Sequence, residues 1–523
     1  MLKIKKIISV LSCLAMVLIS PGLPAEAKNA EDLRNADIAE LAAQPKFDAR
    51  EYDIVTPVRD QGDTSLCWAY STASASETSI LRSGIDKSVN ARMAFLSPLQ
   101  IGYARHNRGA DPLGNTNGEK NDKAVDWRRE TGAARIAATM LSSWCGPVKT
   151  NVAYNANGWE NAAYKLESAI AVDGSRLNTD ASAREKMKRA IVKYGAVTFS
   201  YNNVRNAYYY NPNGETGSIS SPHACTIIGW DDNIPASKFA PGGTTTDGGW
   251  LVKNSYSSLP YFYLSYEVTS EAIYAFEYVM NDKYDYNYFY DSSVEKDGIG
   301  VLLNVKQAAN VFEAKGGDEN TSEWIKAVNV GIIGKNTECT VKIYTDVPDK
   351  DFDPQNAMPA AEKKMQFDYA GFNCVELDEP VEVKKGSRFA AVVSVTNKTN
   401  DASISIGEND SPNSFICKSY WTAMPAAVRI KVFTKTGEKN KAAVEFTGTG
   451  AVKVSGTGAK QLILAKYENE RLQDLRIIPI DIDTGEKTIP LPSEWKKTER
   501  TGYKAFLWNS LSDIVPECPA AAE

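Results

Sequence analysis

Cys67 stands where a polar turn, Gln61-Gly62-Asp63-Thr64-Ser65, gives way to an apolar run with helical spacing. Trp68, Ala69, Tyr70, Thr72, Ala73, Ser76, Ile80 and Leu81 continue that run, and Gly84 ends it. A thiol at a helix N-terminus faces the positive end of the macrodipole and unpaired N–H groups. Both favour the thiolate, which is the nucleophile. Gln61, six residues upstream, can turn an amide N–H toward an oxyanion forming at the carbon that Cys67 attacks. Such a cysteine needs a base, and the chain has two histidines. His106 sits in the polar stretch Arg105-His106-Asn107-Arg108-Gly109, which has no periodicity and reads as a solvated loop. His223 opens Ala224-Cys225-Thr226-Ile227-Ile228-Gly229-Trp230, a buried-strand pattern that holds a side chain in a fixed orientation. Gly249-Trp250-Leu251-Val252-Lys253 reads as a second strand and ends in Asn254. An asparagine there can accept the imidazole N–H and fix the ring's tautomer.

The elements around these residues fall into two blocks. From Cys67 to Gly195 the pattern is mostly helical, with apolar spacing over Ala133–Trp144 and Ser182–Tyr194. From Gly195 to Tyr266 it turns to strands. Cys225 is the one rival nucleophile near His223, but it lacks a helix N-terminus and reads as a small buried hydrophobe, as does Cys145.

Over about residues 46–270 the chain resembles the papain-type cysteine proteases. The order Cys67, His223, Asn254 matches, as do Gln61, Trp68 and Lys253-Asn254-Ser255. Phe47-Asp48-Ala49-Arg50, Val55-Thr56-Pro57-Val58-Arg59-Asp60, Leu96-Ser97-Pro98 and Lys193-Tyr194-Gly195-Ala196-Val197 match further segments. The resemblance implies an α+β two-lobe fold, with a helical left lobe and a β-rich right lobe over 47–270. It implies a Cys67/His223/Asn254 site with Gln61 at the oxyanion, and protein or peptide substrates. It also implies that Gly132, Trp68 and Tyr256 lie beside the substrate; for Thr131-Gly132-Ala133 a plain helix start is an equal reading. Three departures stand out. Thr64 replaces a cysteine, 105–126 and 231–247 are polar insertions, and Tyr256-Ser257 replaces a Trp-Gly pair whose indole shields the His–Asn bond.

The remaining chain extends this picture. At 523 residues it is too long for one core, and 43% hydrophobic with 24% charged residues is ordinary for a globular protein. A net charge of −6 gives no reason to expect nucleic acid. Residues 1–27 read as a secretory signal, with Lys3, Lys5 and Lys6, an apolar Ile7–Ile19 and Ala25-Glu26-Ala27 before the cut. Export to the extracellular space or cell surface is expected, with no transmembrane segment in the mature chain. Seven cysteines lie beyond residue 27 without a CxxC pattern, so neither zinc nor a disulfide framework is suggested, and no cofactor is expected. Residues 28–46 form a short pro- or linker segment and, with 105–126, a candidate source of latency. Residues 271–290 read as a tyrosine-rich connector. Alternating residues such as Val341, Ile343 and Thr345 mark 291–436 as an all-β sandwich. It resembles the lectin-like domain behind the protease in some Gram-positive secreted members of the family. That resemblance implies cell-wall glycan or a surface protein as partner. Asp346, Asp349, Asp351 and Asp353 lack EF-hand spacing and read as a solvated loop. Residues 437–523 form a small C-terminal β-domain. The expected function is peptide-bond hydrolysis by a secreted cysteine endopeptidase. Two alternatives are a non-catalytic surface binding protein and a cell-wall peptide amidase or transpeptidase.

Overall fold

The computed structural model describes residues 28–522 except for 115, 121–125, 156, 202–206, 240–243, 292–304, 319–320, 349–352, 355–356, 439–442, 448–449, 457, 483–485, 499, 509 and 512–519. Asn29 and Asp37 cap two short helices, α1 (Ala30–Asn35) and α2 (Ile38–Ala42), by accepting from the first free backbone N–H groups. Leu33 is fully buried, Arg34 Nη1 donates to Arg82 O at 3.1 Å, and Trp230 Nε1 donates to Gln44 O at 2.9 Å. The 28–46 segment therefore packs on the back of the first unit, and none of its residues lines the cleft described below.

The apolar run forms α3 (Cys67–Ser83), and Gly84 ends it at φ 68°, where a side chain would strain the turn. Nearly every α3 residue from Trp68 to Leu81 is buried, so α3 is the central rod of the unit rather than an amphipathic surface helix. Ser97 caps α4 (Pro98–Ala104), and α5 (Ala134–Ser142) follows Gly132. The expected mostly helical block is then broken by a ten-residue strand, β1 (Lys165–Gly174), before α6 (Ala181–Tyr194). Leu166, Ser168, Ile170 and Val172 of β1 are buried and alternate with the more exposed Lys165, Glu167, Ala171 and Asp173, a period-two signal that Ser168 and the small Ala169 and Ala171 weaken. The right lobe is built from β2 (Val197–Tyr201), β3 (His223–Asp231), β4 (Gly249–Lys253), β5 (Tyr261–Ser265) and β6 (Ser270–Val279). Strand β6 corrects the connector expected over 271–290. It pairs with β1 over its length, and Tyr278 is buried and hydrogen-bonded to Ser76 at 2.8 Å.

The second unit is a two-sheet β-sandwich. One sheet is six-stranded, with Gln307–Glu313 and Arg388–Thr396 at its centre. The other contains β7 (Tyr286–Tyr288), β8 (Thr321–Ile333), β9 (Ala370–Val383) and β10 (Ile430–Glu438), and it does not stop at the unit's boundary. Strand β9 pairs with β1, placing Ala370, Gly371 and Phe372 opposite Ala171, Ile170 and Ala169. A single sheet thus runs β7-β10-β8-β9-β1-β6-β2-β3-β4-β5 through both units. Gly371 makes the join possible: at φ 105°, a Cβ there would lie 2.3 Å from Ala169 O. The expectation of a solvated His106 is also corrected. His106, Arg108 and Asp111 are 6%, 1% and 4% exposed, and Leu113 packs against the second unit's core. Residues 106–113 of the insertion form a strap at the seam. Residues 443–522 hold a separate small core around Val452, Leu462, Leu464 and Leu507, between a three-stranded and a four-stranded sheet.

Candidate active site

Each member of the site arrives from a different part of the chain. Cys67 is the first residue of α3. His223 opens β3, and the β2–β3 register places Tyr201 directly opposite it. Asn254 follows β4. Gln61 lies in the loop that approaches α3, and its backbone N–H donates to Ser255 O at 2.9 Å. Together they line a cleft of about 410 Å³ with Gly132, Tyr201 and Tyr256.

The hydrogen bonds fix the histidine's tautomer. Asn254 Nδ2 donates to Leu259 O at 2.9 Å, and Asn254 Oδ1 accepts from Ser255 N at 2.9 Å. The amide oxygen therefore faces His223 Nε2, 2.9 Å away, and Nε2 must be the donor. Nδ1 is left as the ring nitrogen for the thiol. No hydrogen bond joins Cys67 Sγ to His223 in this state. Burial pushes the Cys67 thiol up from its ordinary 9.0, against the opposing pull of the backbone N–H groups of Ala224, Trp68 and Cys67 itself. Burial likewise lowers His223 from 6.5, with the Asn254 bond opposing it. Each group alone favours its neutral form. The backbone N–H groups favour a thiolate here and the Asn254 bond favours an imidazolium, and burial opposes both.

Gln61 is held from both sides. Its Oε1 accepts from Ser255 Oγ at 2.6 Å, and one Nε2 hydrogen goes to Thr64 O at 2.7 Å. The second Nε2 hydrogen is the one available to an oxyanion. Tyr256 stacks on His223, with centroids 5.6 Å apart and planes at 26°, and Tyr201 meets the ring edge-on at 6.0 Å. The tyrosine thus covers the imidazole beside the His–Asn bond. Trp68 differs from expectation: it is 1% exposed and does not touch the cleft. It lies behind Gly132, where a Cβ would come within 2.4 Å of the indole. Gly132 lines the cleft, where only a bare backbone fits over Trp68. Cys225 is fully buried at the back, and its Sγ donates to Phe199 O at 3.7 Å.

Sequence reasoning missed three supports. Ser255 holds Gln61, and the Lys253-Asn254-Ser255 triplet was a signal that could have found it. Tyr201 carries no sequence signal, because only strand pairing places it beside His223. Behind Asn254, Lys253 Nζ donates to Thr56 Oγ1 at 2.9 Å, and Thr56 donates on to the fully buried Glu77 at 2.6 Å. Glu77 also accepts from the backbone N–H groups of Phe95 and Leu96, both at 2.7 Å. This chain ties the end of β4 to α3, and burial lowers Lys253 to about 8. Among the described residues no cluster of three or more His, Cys, Asp or Glu could hold a metal ion, and no helix is long and apolar enough to cross a membrane. Asp349 and Asp351 of the acidic loop lie outside the described residues.

Two regions of the chain match known protein families. Residues 43–260 match the papain family cysteine proteases, and residues 287–419 match the lectin like domain. Vignain of Phaseolus vulgaris is 24% identical over 223 residues, covering 41% of this chain and 51% of that protein. Cysteine proteinase 15A of Pisum sativum is 23% identical over 243 residues, covering 45% and 58%. The chain thus spans little more than half the length of these curated relatives. Among solved structures, the cysteine protease and lectin-like domains of Cwp84, a surface layer associated protein of Clostridium difficile, superpose with a TM-score of 0.57 at 21% identity. That match covers 78% of this chain and 95% of the other. Clostridial Cwp84 after propeptide cleavage gives 0.56 at 19%, covering 75% and 99%. At these identities the structures show the shared fold. Residues 43–260 are thus a papain family cysteine protease domain, and a lectin-like domain follows at 287–419.

Proposed function

We propose that the protein is an exported cysteine endopeptidase that hydrolyses peptide bonds through Cys67, His223 and Asn254. The observation that carries this reading is the Asn254–His223 hydrogen bond at 2.9 Å, which engages Nε2 and leaves Nδ1 for the half-buried Cys67 that lines the same cleft. In the reaction, the Cys67 thiol gives its proton to His223 Nδ1, and the thiolate attacks the peptide carbonyl carbon. The developing oxyanion accepts from the second Gln61 Nε2 hydrogen and from the Cys67 backbone N–H. His223 then protonates the leaving amine, which departs to leave a thioester. Water attacks the thioester with His223 as base, releasing the acid and restoring the thiol. Asn254 holds the ring's plane through both steps.

Location at the cell surface is supported by the leader pattern of residues 1–27 and by the fold shared with a surface layer associated protein. Glycan or another surface component is the partner proposed for the lectin-like domain. Tyr420, 72% exposed, with Trp421 next to it, offers an aromatic edge there.

The test is labelling of residues 28–523 with an epoxysuccinyl peptide probe under reducing conditions, followed by peptide mass mapping. The expected result is a single adduct at Cys67 that disappears in His223→Ala. A folded protein that takes up no probe would favour the binding-protein alternative.

A further inference from the structure

Helix α5 begins immediately after the Gly132 wall of the cleft, and its N-cap residue, Ala133, makes no side-chain cap bond. The helix start is therefore fixed by packing rather than by capping. Every α5 residue except Arg135 is buried. The near side of α5 meets α3, β1 and β6 of its own unit. The far side meets the lectin-like domain, and three contacts there are specific. Arg429 Nη1 donates to Thr139 Oγ1 at 2.8 Å. Asn287 Nδ2 donates to Ser142 O, at the helix's C-terminal end, at 3.0 Å. Trp144, two residues beyond α5, packs on Phe433 with centroids 4.7 Å apart. Arg429 is itself rigidly held. Its backbone N–H donates to Ser405 O and its C=O accepts from Gly331 N, at 3.0 and 2.8 Å. Its Nε donates to Ile406 O at 3.2 Å.

We propose that Arg429 of the lectin-like domain is a positioning residue for the peptidase cleft, acting through Thr139 and α5 on the Gly132 wall. Thr139 lies six residues, about 9 Å along the helix axis, from Ala133. A rod that short carries a displacement at Thr139 to Gly132 without bending. A charge-assisted bond inside the protein, with both partners about 3% exposed or less, sets the helix along its axis more sharply than apolar packing does. The lectin-like domain thereby supports the wall along which a substrate backbone lies. This inference rests on the peptidase reading above.

The test compares two reagents on the full chain. An epoxysuccinyl peptide probe needs both Cys67 and the wall, whereas iodoacetamide needs Cys67 alone. In Thr139→Val, which keeps size and shape, and in Arg429→Met, the probe's Ki should rise about threefold to tenfold. The maximal inactivation rate and the iodoacetamide rate should stay within about twofold. The double variant should show no larger a rise than either single one, and Arg429→Lys should recover part of the affinity. A merely structural role would lower the melting temperature and the titratable fraction of Cys67 while leaving Ki unchanged. Unchanged Ki in folded Thr139→Val overturns the proposal, as does an iodoacetamide rate that falls in parallel. If Cys67 of the unaltered protein takes neither reagent, the peptidase reading falls first and this inference falls with it.

Discussion

The acid–base character of the site comes from burial acting on a pair. Desolvation raises the thiol and lowers the imidazole, so the form with one shared proton is favoured over the forms with two or none. The sign follows directly. Adding a second proton charges a buried pair, so activity should be lost only below the ordinary histidine value of 6.5. Removing the last proton leaves a lone buried anion, so the alkaline loss should lie above 9.0. A pH profile of kcat/KM should therefore be flat between these values; an acid limb above 6.5 would contradict the account. In Asn254→Ala the bond that raises the imidazole is gone. The acid limb should then move lower, and kcat should drop by about 10²-fold as the ring loses its orientation. Cys67→Ala should remove turnover by about 10⁴-fold or more with the fold retained, measured by peptide hydrolysis alongside thermal melting. Tyr256 covers the face of His223 in place of the expected indole. Its hydroxyl makes the cover more polar than an all-carbon ring would.

At the scale of elements, the cleft depends on how closely backbone passes over side chain. Gly132 lies on Trp68 with no room for a methyl group. Gly132→Ala should therefore push the wall and the indole apart and cut kcat/KM by about tenfold, mainly through KM. Hydrolysis kinetics on one peptide substrate would separate the two parameters, and a pure kcat effect would argue against a wall at Gly132. The β4 end is anchored differently. Lys253, Thr56 and Glu77 form one buried hydrogen-bonded chain, so removing one member leaves its neighbours unsatisfied. The strap enters the seam at 106–113, with Arg108 and Asp111 buried, which is why the sequence's polar composition there is misleading.

For the whole molecule, one sheet runs through both the protease and the lectin-like regions, so each covers strand edges of the other. Residues 28–286 expressed alone would expose the β1 edge from 169 to 171 and the face of Trp144 that meets Phe433. We expect that fragment to aggregate or to unfold well below the melting temperature of the full chain, as read by scattering and calorimetry. Gly371→Ala places a methyl group against Ala169 O at a positive φ and should cost about 1–3 kcal/mol of stability. The C-terminal unit has its own core, so a chain ending at 438 should keep the same probe labelling at Cys67.

The sequence by itself determined the papain family character of the first region and pointed to its candidate site. A cysteine at a helix start, a scarce histidine at a strand start and an asparagine at a strand end are local patterns, and local patterns are legible one residue at a time. It also revealed the β-rich character of the second region, because alternation survives wherever one face of a strand is wet. Only the tertiary structure decided which side chains back the site. Tyr201 meets His223 through strand register, Ser255 meets Gln61 across 194 residues, and Arg429 meets Thr139 across 290. Contacts at such separations depend on how sheets join, and the join itself rests on three residues of β9 beside β1. His106 is hidden for the same reason: a polar strap buried between two units carries no periodic signature of where it lies. In β1 the alternation exists but is weakened by Ser168 on the buried face and by Ala169 and Ala171 on the other.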